Sequence, residues 1–220
     1  MGGACSVNGV RPQNSSSIID FLNSGTGNSQ VPKIIFLGLD YSGRDILAES
    51  LIHERLYTSY AEQGISYILP TPPRKESLFV ARFGKVTLIE IPGTPQYRNS
   101  WPSIYTLGGV IKVITVIDTN DPLRFPIFRT KLLELITIME DKTKYVPLVL
   151  VTCVIKGRYN RPSSVDASDL NINCMPSVSQ RDINSLILAS KQLCPAIQIS
   201  VKNISHIEDL LKFQEYLRII

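Results

Sequence analysis

The stretch VPKIIFLGLDYSGRDI, from Val31 to Ile46, decides the fold of this chain. Its apolar run, residues 34–37, predicts a buried strand, and Gly38 and Gly43 then enclose four residues before a polar pair. This is the frame of the phosphate-binding motif G-x-x-x-x-G-K-[ST], in which a glycine-containing loop joins a strand to a helix. Glycine is needed there because a side chain would keep backbone N–H groups away from phosphate oxygens. The stretch therefore predicts a strand, a phosphate-binding loop and the start of a helix.

The two chemical positions of this motif are both altered. Arg44 stands where the motif has Lys, and Asp45 stands where it has Ser or Thr. Arg44 keeps the positive charge on a longer, planar side chain, so we expect it to reach phosphate from a displaced position. Asp45 either binds Mg²⁺ directly or, without the metal, repels phosphate. Two unit charges about 4 Å apart interact by about 4 kcal/mol at an effective dielectric of about 20, so nucleotide affinity depends on the metal.

Length and composition place the chain among ordinary globular proteins of one domain. It has 220 residues, and its formal net charge of +4 is scattered along the sequence. Such a weak charge does not indicate nucleic acid binding, but it is compatible with an anionic membrane surface or a phosphate ligand. The four cysteines follow no zinc or redox spacing, which is typical of a reduced cytoplasmic protein. No apolar run approaches the length of a transmembrane helix.

Residues 1–30 are predicted to form a flexible arm with a lipidation signal, since this segment is rich in Asn, Ser and Gly. The start MGGACS fits the myristoylation pattern M-G-x-x-x-[ST], with Gly2 as the acceptor and Cys5 close enough for a second acyl chain. Two chains hold a protein on a membrane stably, whereas one binds marginally. The alternative is a chance match. The apolar patch 17–22 either lies on a bilayer, packs on the domain or is a chance cluster.

From residue 31 onward strand and helix patterns alternate, which predicts an α/β fold with a doubly wound, six-stranded, mostly parallel sheet flanked by helices. The predicted strands are Lys33–Leu37, Ser77–Phe83, Lys85–Ile91, Val110–Ile117, Leu148–Ile155 and Ile197–Val201. The predicted helices are Arg44–Glu62, Pro126–Met139, Asp182–Leu193 and Ile207–Ile219, with a loop over Ile65–Glu76 and an insertion over about 156–181. Ligands of such sheets bind beyond the carboxyl ends of the strands, where the glycine loop lies.

Four motifs in this order resemble the ADP-ribosylation-factor (Arf) branch of the small GTPases. That branch has a loop GLDxxG, a Pro-Thr in its first switch, a second switch D-V-G-G-Q-x-x-x-R-x-x-W, and D-S-N-D after the next strand. The matching residues are Gly38–Gly43, Pro70-Thr71, Glu90–Trp101 with Gly93 and Arg98, and Asp118–Asp121. The resemblance covers about residues 31–220 and implies a P-loop small-GTPase fold in an Arf-like G domain.

The resemblance implies that the protein binds GTP or GDP with Mg²⁺. The implied nucleotide-binding residues are Gly38, Asp40, Tyr41, Ser42, Gly43, Arg44, Asp45, Ile46 and Gly93, and the implied metal contacts are Asp45, Thr71 and Glu90. Thr94 occupies the place of the Gln that orients the attacking water, and its hydroxyl is too short for that role. Intrinsic hydrolysis is therefore expected to be very slow or absent.

Guanine recognition is also altered in this sequence. Where the family has N-K-x-D, the chain reads Thr152-Cys153-Val154-Ile155, without a carboxylate to accept the N–H groups of guanine. Ser200-Val201-Lys202 resembles the S-A-K loop that backs the base. Because selectivity requires polar groups that go unpaired with the wrong ligand, we expect a weak guanine preference.

Two functions from different classes remain open. The first is an Arf-like small G-protein that is lipid-anchored, binds GTP and acts in vesicle or membrane trafficking on Golgi, endomembrane or plasma membrane. The second is a pseudo-GTPase, a membrane-tethered interaction module that binds no nucleotide. Protein effectors are expected at the switch surface near Trp101, although the aromatic residues there also fit a core. A P-loop kinase is disfavoured because the sequence has no lid-like Arg cluster.

Overall fold

One sheet of six strands organises the part of the chain that the computed structural model describes, residues 31–45, 47–48, 73–80, 84–140, 147–153, 177–204, 212–213 and 215. The strands are β1 (Lys33–Gly38), β2 (Arg74–Val80), β3 (Gly84–Glu90), β4 (Val110–Asp118), β5 (Leu148–Cys153) and β6 (Ile199–Ile204). Their order is β2-β3-β1-β4-β5-β6, and every neighbouring pair is parallel except β2 with β3. The predicted six-stranded, mostly parallel sheet is confirmed.

Helices cover both faces of this sheet. The described helices are the single turn α1 (Pro95–Arg98), a 3₁₀ helix (Trp101–Thr106), α2 (Phe125–Glu140) and α3 (Gln180–Leu193). Another helix begins at Arg44, directly after the glycine loop. None of the helices in these ranges is long and apolar enough to span a membrane.

The alternation of apolar side chains in β1 produces two cores. Ile35 and Leu37 face one layer, with α2, α3 and the 3₁₀ helix, whereas Ile34 and Phe36 face a second layer that includes Leu47 of the helix after the loop. Because successive strand residues point to opposite faces, a continuous apolar strand needs cover on both sides. The doubly wound arrangement follows from that requirement.

Several predicted boundaries differ in the structure, among them those of β2, β6 and α3. Arg74–Glu76, predicted as loop, begin β2, which pairs with β3 along its whole length. Ser200, Val201 and Lys202 lie inside β6, paired with Val149, Leu150 and Val151, so their assignment to the base-backing loop is wrong. The backbone groups of these residues are hydrogen-bonded to β5, so they belong to the sheet. The strand continues beyond them and ends at Ile204.

The third difference concerns the insertion. Helix α3 starts at Gln180 rather than Asp182, because Ser179 caps it: its side chain accepts from the Asp182 N–H, and the Asp182 carboxylate accepts from the Ser179 N–H. The predicted insertion therefore overlaps the helix by its last two residues. The arm with Gly2 and Cys5, most of the two remaining helices and most of the insertion lie outside the described residues.

Candidate nucleotide site

The glycine loop lies at the point where the sheet changes direction. β1 is flanked by β3 on one side and by β4 on the other, so the chain leaving Gly38 enters a crevice between two connections. In open α/β sheets this crevice at the carboxyl ends of the strands is the usual ligand site. The helix that begins at Arg44 directs its N-terminal N–H groups toward the loop, which favours an anion.

The loop backbone has the form of a phosphate cradle. A Cβ at Gly38 would lie 2.4 Å from Ser42 Oγ and 2.9 Å from the Val116 carbonyl oxygen, so only glycine fits there. Tyr41 and Gly43 have positive φ angles of 60° and 83°. For Tyr41 this conformation costs free energy, about 1 kcal/mol or more, which the folded loop must offset. The fold therefore holds Tyr41 in a backbone conformation that this residue does not prefer, whereas Gly43 adopts its own readily.

Arg44 does not extend into the crevice but forms a buried ion pair with Glu90. Its Nε donates to Glu90 Oε1 over 2.9 Å, and its Nη1 donates to the Gly38 carbonyl over 3.0 Å. The two side chains are only 6% and 4% exposed. The sequence predicted a phosphate contact for Arg44 and a metal contact for Glu90. The structure joins the two groups to each other, so each charge has a partner inside the fold.

Asp40 is the centre of a cluster of positive groups at the mouth of the loop. The N–H of Gly93 donates to its carboxylate, and the guanidinium groups of Arg44, Arg124 and Arg98 lie close enough to act on it. Burial raises the pKa of the Asp40 carboxyl, and these donors and charges act in the opposite direction. Arg124 also donates from Nη1 to the Asp40 carbonyl over 2.8 Å. The loop is thereby tied to the start of α2.

Gly93 packs directly against the loop backbone. A Cβ at this position would lie 2.2 Å from the Gly38 carbonyl oxygen and 2.4 Å from the Leu39 Cα atom. Thr94 follows as the residue before α1, and its Oγ1 has no hydrogen-bond partner among the described residues. Pro95 at the first position of α1 fixes φ there. The loop that carries Gly93 is therefore close-fitting and stiff.

The predicted metal site is incomplete in the described part of the chain. Asp45 lies half-buried in the first helical turn, Glu90 is bound by Arg44, and Thr71 lies outside the described residues. Ile46, an implied nucleotide contact, also lies outside them. No three His, Cys, Asp or Glu side chains cluster as metal ligands within the described ranges. The cradle thus fits a phosphate group, whereas the donor set that these residues present does not fit Mg²⁺.

At the position of the base-reading motif, Cys153 serves the loop rather than a ligand. Its thiol, buried at the end of β5, donates to the Ser42 carbonyl over 2.9 Å and lies 3.4 Å from the Ile117 carbonyl. Thr119, just beyond β4, is bonded through its N–H to the Cys153 carbonyl over 2.9 Å. These contacts join the glycine loop to β4 and β5, and none of them uses a carboxylate.

A small cavity lies behind the loop, between it and α2. Its interior gives the centre of a water molecule about 20 Å³, which is room for a water but not for a nucleotide. Ser42 lines it together with Asp118, Asp121 and Phe128. Ser42 Oγ is buried and has no hydrogen-bond partner among the described residues. This cavity therefore has no room for a phosphate group.

Trp101 belongs to the core. Its side chain is fully buried, as is that of Ile104, and both pack in the layer that contains α2. The sequence left open whether these residues form an effector surface or part of the core, and the structure places Trp101 and Ile104 in the core. Any partner that binds this region would contact neighbouring residues rather than the indole.

The sequence profile of the ADP-ribosylation factor family matches residues 18–184, which is more than half of the chain. The protein belongs to the ADP-ribosylation factor family. The predicted Arf resemblance is therefore confirmed, and with it the P-loop small-GTPase fold.

Individual relatives of this Arf-family protein are distant. ADP-ribosylation factor-like protein 6 of Caenorhabditis elegans is 25% identical over 151 residues, covering 67% of this chain and 70% of that protein. The Arl6 BBS3 small GTPase of Trypanosoma brucei, solved with the nucleotide analogue GppNp, superposes with a TM-score of 0.51 at 14% identity, over 85% of this chain and 96% of that one. The mammalian SRP receptor superposes with a TM-score of 0.50 at 16% sequence identity, over 84% of this chain and 98% of that one. At these identities the structures show the fold alone.

The structure brings the predicted loop residues together, their nucleotide-binding role stays a prediction, and the partnerships among them were not predicted. Gly38 through Asp45 and Gly93 do come together at the end of β1. The Arg44–Glu90 pair was missed: the sequence shows only that both residues depart from the family pattern, and it is the pairing of β1 with β3, with Phe36 opposite Glu90, that brings them together. Arg124 and its bond to the loop carried no motif signal at all.

Proposed function

We propose that this protein is an Arf-family small G-protein that binds guanine nucleotide with its glycine loop and does not hydrolyse GTP at a useful rate. The cradle at Gly38, into which no Cβ fits, is the observation that carries the binding part. The similar Arl6 protein of T. brucei was solved with GppNp, which supports nucleotide binding in the same fold. Thr94 in place of the water-orienting Gln supports the absence of hydrolysis.

The protein acts, in this proposal, at a membrane of the trafficking system, held there by acyl chains on Gly2 and Cys5. Flotation of the full chain on liposomes, after expression with and without an N-myristoyltransferase and a protein S-acyltransferase, tests this part. Gly2→Ala should abolish flotation, and Cys5→Ser should weaken it. Flotation that is unaffected by Gly2→Ala would refute the lipid anchor.

The decisive binding experiment is calorimetric titration of the full chain with GTP, GDP and ATP, with and without Mg²⁺. Micromolar or tighter binding of a guanine nucleotide supports the proposal. A single-turnover assay on the GTP complex should then detect no phosphate release. Thr94→Gln, which restores the missing amide, is the matched variant, and rapid hydrolysis by the unaltered protein would refute the second part.

A second candidate is favoured by the Arg44–Glu90 pair: a pseudo-GTPase in which the G domain is an interaction module. In this pair the charges of Arg44 and Glu90 balance each other, so neither needs a phosphate or a metal ion as its partner. Absence of binding at millimolar nucleotide would favour this candidate over the first. A pull-down with the acylated full chain would then be the next step.

A further inference from the structure

The Asp40 carboxylate is held by the kind of groups that bind a phosphate. One backbone N–H donates to it and three guanidinium charges act on it, and they come from four parts of the fold: Gly93 from the loop after β3, Arg98 from α1, Arg124 from the residue before α2, and Arg44, itself paired with Glu90, from the first turn of the helix after the glycine loop. Arginine forks and backbone N–H groups are the usual partners of both carboxylates and phosphates. This anion-binding set is filled by a side chain of the protein itself.

The groups that surround the Asp40 carboxylate lie where the last phosphate of a bound phosphate chain would be expected. In P-loop proteins the loop backbone cradles the phosphates. Here the Gly93 backbone is in contact with the Gly38 carbonyl oxygen and Leu39 Cα, so the Gly93 N–H lies at the rim of the cradle. The path behind the loop ends in a cavity with room only for water. A phosphate chain that extends beyond the cradle therefore meets the Asp40 carboxylate at the Gly93 N–H.

We propose that Asp40 is an internal competitor for the terminal phosphate of a nucleoside triphosphate, so that the resting site takes a nucleoside diphosphate in preference. A triphosphate binds only after the Asp40 carboxylate leaves the Gly93 N–H, and Arg98 and Arg124 then become the partners of the terminal phosphate. This inference rests on the proposed nucleotide binding and adds the class of nucleotide that the site prefers.

Calorimetric titration of the full chain with GDP and with the slowly hydrolysed analogue GTPγS, in the presence of Mg²⁺, tests the inference. The unaltered protein should bind GDP at least about tenfold more tightly than GTPγS. Asp40→Asn, of the same size but without the charge, should tighten GTPγS binding at least about tenfold and change GDP binding by less than about threefold. Arg98→Gln in the Asp40→Asn background should reverse that gain. Arg129→Gln is the matched control, because Arg129 is an exposed arginine of α2 that is not among the charges acting on Asp40.

Other outcomes separate this inference from the proposed function. Equal affinity of the unaltered protein for GDP and GTPγS overturns the competition by Asp40 and leaves nucleotide binding intact. Equal tightening of both nucleotides by Asp40→Asn does the same, since the carboxylate would then act on the whole phosphate chain. No binding of either nucleotide by the unaltered protein and by Asp40→Asn overturns both the inference and the proposed function. If Asp40→Asn fails to fold, judged by circular dichroism, the ratio measured on the unaltered protein decides.

Discussion

Replacing Glu90 by Gln tests the central interaction of the site. The substitution keeps the size and one acceptor oxygen but leaves the Arg44 guanidinium with a neutral partner. Arg44 Nε and Glu90 Oε1 are 2.9 Å apart, and the side chains are 6% and 4% exposed, so the guanidinium gains almost no compensating hydration. Removing one partner of a buried pair costs about 3 to 5 kcal/mol. Because the Gln oxygen and the Gly38 carbonyl still accept from Arg44, we expect about 3 kcal/mol.

Urea unfolding of the full chain at neutral pH, followed by circular dichroism, measures this loss. With a slope of about 2 kcal/mol per molar urea, a loss of about 3 kcal/mol lowers the midpoint by about 1.5 M. Glu134→Gln is the control. It neutralises one partner of the Lys131–Glu134 pair on α2, which has a similar separation of 2.8 Å but side chains that are 23% and 46% exposed. An exposed pair contributes below about 1 kcal/mol, so the midpoint should move by less than about 0.5 M.

The double variant Arg44→Met, Glu90→Met distinguishes loss of the pair from loss of packing. With neither charge left unpaired, it should lose less stability than Glu90→Gln alone. The reasoning is refuted if Glu90→Gln shifts the midpoint no more than Glu134→Gln does. It is also refuted if the double variant is the less stable of the two, because the cost would then come from shape rather than from an isolated charge.

Three further predictions follow from single contacts. Asp45→Thr should tighten nucleotide binding at least about tenfold in calorimetry because it removes a carboxylate next to the phosphates, and unchanged or weaker binding would show that Asp45 is neutral or holds the metal. Gly93→Ala should lower the urea midpoint because its Cβ would lie 2.2 Å from a backbone oxygen. It should do so more than Gly84→Ala, whose Cβ has nothing within 4 Å and which is disfavoured only by the positive φ of 70° at that position; the reverse order would contradict the close packing. Ser179→Ala should destabilise α3. Ser179 lowers the pKa of Asp182, so this stabilisation is present above the ordinary carboxyl pKa of 3.8 and is lost as the pH falls through the lowered value. The difference in urea midpoint between Ser179→Ala and the unaltered protein should therefore become smaller at acid pH. A difference that does not change with pH would show that the Asp182 carboxylate does not contribute to the cap.

The parts of the fold that could be predicted from the sequence are those governed by local pattern. β1 and β4 are mostly apolar, and their bounds differ from the prediction by a single residue at one end. β6 was misplaced because Ser200, Lys202 and Asn203 interrupt its apolar pattern, and their place in a strand depends on pairing with β5. An edge strand exposes alternate side chains, so its sequence contains little to separate it from a loop.

In the site, too, the features set by local pattern could be predicted from the sequence, and those set by tertiary contacts could not. The glycine positions were predictable because a close approach of backbone atoms excludes every other residue, and that constraint is visible in the sequence itself. The bond between Arg44 and Glu90 joins residues 46 positions apart and depends on which strand lies beside β1. The tie between Arg124 and the Asp40 carbonyl spans 84 positions and uses a backbone oxygen that every residue possesses. Partnerships of this kind arise from tertiary arrangement, and residue type alone does not specify them.

The buried indole of Trp101 gives this domain an intrinsic fluorescent probe. The chain has a single tryptophan, its side chain is fully buried, and its Nε1–H has no hydrogen-bond partner within the described residues. Its fluorescence emission should therefore lie toward the blue and resist quenching by acrylamide. The indole sits in the 3₁₀ helix that closely follows Gly93 and Thr94 along the chain. A red shift on addition of nucleotide would report a rearrangement of that segment, and an unchanged spectrum would report a rigid one.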